Sequence, residues 1–268
     1  VSRPSSGRSK KAASFLTTID DFARKPSAGF YRRRVHIATV DASTVRADME
    51  DDFHRFGVTL RHDGERVVEA AGDSERYPWT TCPSAAEPLR ALAGATLSTR
   101  LSVLGGYAPA RQNCTHMFDL AGLAIAHAAR GVDATRTYDI AIRDRVDDRT
   151  EPELCRDGQL LLHWEIAGRT IERPEPFVGI SLRGGLLAWA EDNLDADTAE
   201  AASILRRTCD ISFGRIVDLD MYETADAMGA PVQGTCHSFQ PGTIELAVRV
   251  KGQTRDFTDD AAALLSAR

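Results

Sequence analysis

The sequence predicts an α+β fold, an antiparallel sheet with helices packed on one face and a C-terminal α+β extension. Three observations carry this. First, F-H-R-F-G-V-T-L-R-H alternates, placing His54, Phe56, Val58 and Leu60 on one face. The run turns at Gly64 in H-D-G-E and returns over Arg66–Gly72 as an antiparallel partner. Second, Met117, Phe118, Leu120, Ala121, Leu123, Ala124 and Ile125 recur at helical spacing. Third, from about Thr135 the chain reads as further strands and one long helical stretch.

The 268 residues are 43% hydrophobic and 27% charged, enough for a substantial core. The net charge of -6 argues against nucleic acid as the main partner, because phosphate binding needs a basic surface. No apolar run approaches a membrane span, and no apolar signal core opens the chain. A cytoplasmic protein is expected, with its five cysteines reduced and some of them ligands.

Residues 1–24 are expected to be a disordered tail and a short helix, since Val1–Lys11 has almost no apolar residues. Residues 25–132 form the expected metal-binding core, and 133–268 complete the same compact unit. Arg32, Arg33 and Arg34 lead into V-H-I-A-T-V and read as a solvated edge strand, with an anion clamp as the less favoured reading. Ala42–Asp52 is acidic and reads as a loop. His54 then opens the alternating strand on its apolar face.

Cys82-Pro83 precedes a helix striped by Leu89, Leu92 and Ala93, which Pro88 disturbs and Gly94 ends. Ser98–Leu104 reads as a short helix closed by Gly105-Gly106, and Tyr107–Gln112 as a loop. Asn113 or Thr115 would cap the helix that follows Cys114. Both thiols therefore sit at helix N-termini, where orphan N–H groups and the macrodipole favour an anion and lower a thiol pKa. His116 lies in the first turn beside Cys114. His127 reads as structural, and His62 as exposed.

The second half reads as a strand over Thr137–Val146, a hairpin about Gly168, a helix over Trp189–Thr208, a weak helix or loop over Ile216–Met228, a strand over Ile244–Val250 and a terminal helix over Asp259–Ala267. His163 and Glu165 share a strand face, as an acid–base pair or as ordinary exposed polar residues. Cys209 reads as a buried apolar residue. Asp218 and Asp220 read as a solvated acidic loop before a cation site. Cys236 and His237, in G-T-C-H-S-F, are placed to fold back over a metal.

From Phe53 to Ala129 the order of elements resembles the core of the IscU/NifU-type iron–sulfur cluster assembly scaffolds. The resemblance rests on the strand-turn-strand run, on Y-P-W-T-T-C-P-S-A-A and on N-C-T-H-M-F-D-L-A-G-L-A-I-A-H-A-A. Most of the chain also resembles a bacterial domain family of unknown function, with a strand His, C-P before a helix, a G-G loop leading to C-T-H, and a late Cys-His segment. The scaffold resemblance implies a ligand-bearing sheet edge beside cysteines that start helices. It departs where the scaffolds carry a first cysteine, since Asp51, Asp52 and Phe53 stand near there. Asn113 replaces their His.

One His and two Cys with an open position fit mononuclear zinc or non-haem iron better than a sulfide cluster. The expected metal ligands are His54, Cys82 and Cys114, with Cys236 and His116 as further candidates for a fourth ligand, a group supporting a ligand, or an acid or base. His116 and then His163 are the expected proton carriers. The favoured function is a metal-dependent lyase, hydratase or hydrolase acting on a small organic substrate, with no nucleic acid or membrane partner and with a homo-oligomer admitted. A non-catalytic metal or cluster carrier is the second reading. A metal-free Cys114 thiolate paired with His116 is the third. No Walker loop, dinucleotide fingerprint or G-x-S-x-G appears.

Overall fold

The computed structural model describes residues 22, 23, 25, 27–131 and 133–266. The expected N-terminal tail and helix fall almost wholly outside them. Seven strands form one antiparallel sheet in the order β4-β3-β2-β1-β5-β7-β8. Its members are β1 (Phe30–Asp41), β2 (Thr44–Asp51), β3 (Arg55–His62), β4 (Val67–Arg76), β5 (Arg136–Arg143), β7 (Pro152–Arg156) and β8 (Gln159–His163). A second sheet pairs β10 (Thr170–Arg173), β9 (Glu165–Ala167) and β6 (Arg149–Thr150).

Strand period and antiparallel register put the apolar residues on one face. Val35 stands between Met49 of β2 and Tyr138 of β5, and Ile140 faces Leu154 of β7. Those side chains are buried, whereas alternate positions such as Arg34, Arg46 and Asp48 carry ion pairs on the other face. The buried face is covered by α1 (Thr115–Arg130), packed on β2 and β3, and by α3 (Ala196–Ser212), packed on β5, β7 and β8. Gly72 lets α1 press close to β4, since a Cβ there would meet Met117 Sδ at 2.9 Å. No helix of the described residues is long and apolar enough to cross a membrane.

Several elements differ from expectation. β1 is central, so Arg33 is buried rather than on a solvated edge. The acidic stretch before His54 is strand β2, whose Val45, Ala47 and Met49 face the core. Pro83–Leu92 after Cys82 is a 3-10 helix, in keeping with Pro88, which has no N–H to donate along an α-helix. Neither Asn113 nor Thr115 caps α1; Cys114 holds that position without a side-chain cap bond. The long helical stretch divides into α2 (Leu186–Asn193) and α3 because the Asp195 carboxylate accepts the Asp197 and Thr198 N–H groups. The expected strand Ile244–Val250 is a 3-10 turn, Ile244–Leu246, followed by single antiparallel bridges at Val248 and Arg249, and the terminal helix is a 3-10 turn, Ala261–Ala263.

Candidate metal centre

The turn between β2 and β3 is built around one buried carboxylate. Asp51 Oδ1 accepts the backbone N–H of Phe53 and of His54, each at 2.8 Å, and lies 3.0 Å from His54 Nδ1. Asp51 Oδ2 accepts the Tyr31 hydroxyl at 2.6 Å and Arg33 Nη2 at 2.7 Å. Burial acts to raise the Asp51 carboxyl, but the charges of His54 and Arg33 and the His54 hydrogen bond hold it well below its ordinary range. Two more arginines fix the turn from outside. Arg76 donates to the carbonyls of Asp51, Asp52 and His54, and Arg215 Nη1 reaches Asp52 Oδ2 at 2.5 Å. Gly214 allows the Phe53 ring to lie against the chain beyond α3, where a Cβ would come within 2.8 Å of it.

His54 is thereby oriented through Nδ1. No hydrogen bond to its Nε2 is formed among the described residues, and His54 lines a cleft. The His116 ring lies alongside, centroid to centroid at 4.0 Å. His116 Nε2 is buried with no hydrogen-bond partner, and its Nδ1 is 3.9 Å from Cys114 Sγ. Burial, then repulsion from His54 and Arg33, pushes the His116 pKa well down, which favours the neutral imidazole. Among the described residues, Asp51, His54 and His116 are the set of three whose ligand-type atoms all lie within 4.8 Å of one another, and this buried cluster could hold a metal ion. Metal–ligand bonds of 2.0–2.3 Å put two ligands at most about 4.6 Å apart, so this spacing is near that of a formed site.

The thiols share the same cleft. Cys82, Cys114 and Cys236 all line it with His54 and His116. Cys82 Sγ is 3.5 Å from Ser238 Oγ. The segment carrying Cys236 is tied across both earlier cysteine segments: the His237 N–H donates to Asn113 O at 3.0 Å, and His237 Nε2 is 2.9 Å from Ser84 Oγ. Gln240 Nε2 donates to Arg111 O at 2.7 Å. The expected triplet of His54, Cys82 and Cys114 therefore lines one cleft, yet its donor atoms do not all come within 4.8 Å.

The expected lowering of the thiol pKa values is reversed. Burial pushes Cys114 up, and the neighbouring sulfurs of Cys82 and Cys236 add to it. The Met117 and His116 amides act in the expected direction but are outweighed. Burial likewise raises Cys82 and takes Cys236 up to about 12. All five cysteines are free.

His163, expected as a second proton carrier, stands exposed on edge strand β8 opposite Glu153 and does not line the cleft. The Trp164 beside it is fully buried. His127 is buried 3.2 Å from Thr39 Oγ1, consistent with a structural role. Asp220 is paired with Arg249 at 2.8 Å, and Cys209 is buried in α3. Asp51 and Arg33 flank the candidate centre but were not among the expected site residues; their signals are the alternations Val45, Ala47, Met49, Asp51 in β2 and Tyr31, Arg33, Val35, Ile37 in β1.

No family model matches the chain, and no curated protein matches it.

Proposed function

We infer that the cleft is the active site of an enzyme that uses one bound zinc or iron ion on a small organic molecule, as a hydrolase or a lyase of the hydratase type. The observation that carries the reading is the pair of imidazoles. His54 is aimed by a buried carboxylate, and His116 Nε2 is buried with no partner beside it. A buried imidazole nitrogen without a partner costs free energy, and a cation would satisfy it.

Asp51 is better read as the group that orients His54 than as a ligand. Both of its oxygens are already engaged by six N–H or O–H groups. A carboxylate on the far nitrogen of a ligating histidine is the usual arrangement around a protein-bound metal. His116, with a ligand-type atom within 4.8 Å of one on His54, fits the ligand role the sequence also allowed it better than the proton carrier first expected. Cys114, beside His116, is the nearest thiol, and Cys82 and Cys236 are in the same wall. Bound there, the ion would supply Lewis acidity to a water or a substrate carbonyl. Its charge would also favour thiolates where burial alone favours thiols.

The residues' own contributions follow. With an ion on Nε2, Asp51 would hold the proton of His54 on Nδ1. Arg33, Arg76 and Arg215 hold the turn so that the His54 ring keeps its direction. The apolar rings of Phe53, Phe56 and Trp79 line the cleft, of about 710 Å³, and restrict water around the reacting group.

Metal analysis of the protein purified under argon without added metal tests this. Zinc or iron near one per chain, lost together in His54→Ala and His116→Ala, is the expected result. Iron with matching acid-labile sulfide and visible absorbance would instead support the carrier reading. A wild-type protein that takes up neither zinc nor iron, even when offered, would overturn the metal centre.

A further inference from the structure

We propose that the cleft recognises an anionic substrate, a carboxylate or phosphate ester, whose charge is held by Arg111 and Arg183. The reactive end of that substrate would then lie at the His54–His116 centre. The substrate class rests on the reading of this cleft as an active site, but the anion site stands on its own observations.

The first is the charge of the lining. The chain as a whole is acidic, with 39 Asp and Glu against 33 Lys and Arg. The lining of this cleft inverts that balance. Arg111, Arg169, Arg183, Arg206 and Arg207 line it, and among the described residues Asp210 is the acidic side chain that does. Random surface placement in a chain of net charge -6 would favour the opposite sign.

The second is how those arginines are occupied. Arg207 pairs with Asp119 at 2.7 Å, and Arg206 with Asp210 at 3.0 Å. Arg169 approaches the same Asp210 at 3.7 Å. These three are held against the protein. Arg111 and Arg183 are exposed, and no carboxylate among the described residues pairs with either guanidinium. Each is a planar fork of N–H donors suited to two oxygens of a carboxylate or phosphate. Concave walls also strengthen the field of such charges on an incoming anion.

The third is proximity to the candidate centre. Arg111 lies in the 3-10 turn Ala110–Gln112, three residues before Cys114, and its carbonyl is fixed by Gln240. The positive charge of Arg207 acts on both His116 and Cys236. Cationic and metal-ligating residues thus share adjoining walls. Phe213, Val217 and Met228 also line the cleft and offer apolar surface for the body of an organic acid.

Calorimetric titration of the purified full-length protein with succinate and with inorganic phosphate tests the site, with neutral succinamide as control. Saturable binding of either anion is expected, weakening with salt, and no binding of succinamide. Arg111→Gln and Arg183→Gln should each weaken it about tenfold, the scale of one charge-assisted contact. The tighter of the two anions identifies the substrate's charged group as carboxylate or phosphate. His54→Ala should leave anion affinity within about threefold, so failure of the metal reading would not mimic failure of this one. Absence of saturable binding, indifference to both arginine substitutions, or loss of binding in His54→Ala alone would overturn the proposal.

Discussion

Asp51 is the buried carboxylate on which the turn between β2 and β3 is fastened. It is fully buried, ion-paired with Arg33, bonded to Tyr31 and clamped to the turn it begins. Replacing it with Asn keeps the shape but leaves the buried Arg33 guanidinium without a counter-charge. Breaking a buried pair in this way costs about 3–5 kcal/mol. The same change releases His54 from its orienting group, which typically weakens a metal site about 10–100-fold. Asp51→Asn should therefore lower the denaturation midpoint and lose zinc to a competing chelator far sooner than wild type. Unchanged zinc affinity would show that the His54–Asp51 contact does not orient a ligand. His54 itself was legible in the sequence, because it heads a clean alternation of apolar residues. Asp51 was not, because four acidic residues within Asp48–Asp52 read as a solvated loop. The ion pair that makes a buried aspartate affordable comes from Arg33, eighteen positions away across a strand pair.

Elements with a single strong periodicity were readable, and elements fixed by partners were not. The helix after Cys114 carries its own apolar stripe and forms where expected. Strand β2 alternates as regularly, but its outward Arg46 and Asp48 find their ion pairs only within the sheet, so local composition hid it. The late segments from Leu219 to Leu246 are mostly 3-10 turns held by long-range contacts, and no local pattern announces those. Helix α3 offers a test of such long-range fastening. Asp197 in its first turn is bound by Arg136 and Arg156, each at 2.7 Å. Burial would raise its pKa, but these hydrogen bonds and charges lower it to about 2. A lowered acid stabilises the fold above its unfolded pKa of about 3.9 and loses that contribution as pH falls through the folded value. The window is therefore from about pH 4 down to about pH 2. The carboxylate is partly exposed, so the contribution is discounted to roughly 1 kcal/mol. Asp197→Asn should be less stable than wild type at pH 7, and the two should converge as the pH falls to about 2. Urea denaturation at both pH values measures the difference, and equal stability at pH 7 would refute the fastening.

At the scale of the molecule, the cleft is where distant parts of the chain meet. One wall comes from the β2–β3 turn, another from the start of α1, and a third from the segment carrying Cys236, bound to the second by the His237 N–H on Asn113. An ion shared by residues of the first two walls, with thiols from the third nearby, would act as a cross-link absent from the unfolded chain. Anything that binds only the folded state stabilises it by mass action, about 2.7 kcal/mol at a hundred times its dissociation constant. For a chain of this size, 1 kcal/mol moves the melting temperature by roughly 2–4 °C. Stripping the ion with a chelator should then lower Tm by about 5–10 °C, and restoring zinc or iron should recover it. The same treatment should speed amide exchange at Gly234–Phe239, if Cys236 joins the site. In His54→Ala, Tm should start lower and ignore the chelator. A wild-type protein that gives up its metal with no change in Tm would place that metal elsewhere than between these walls.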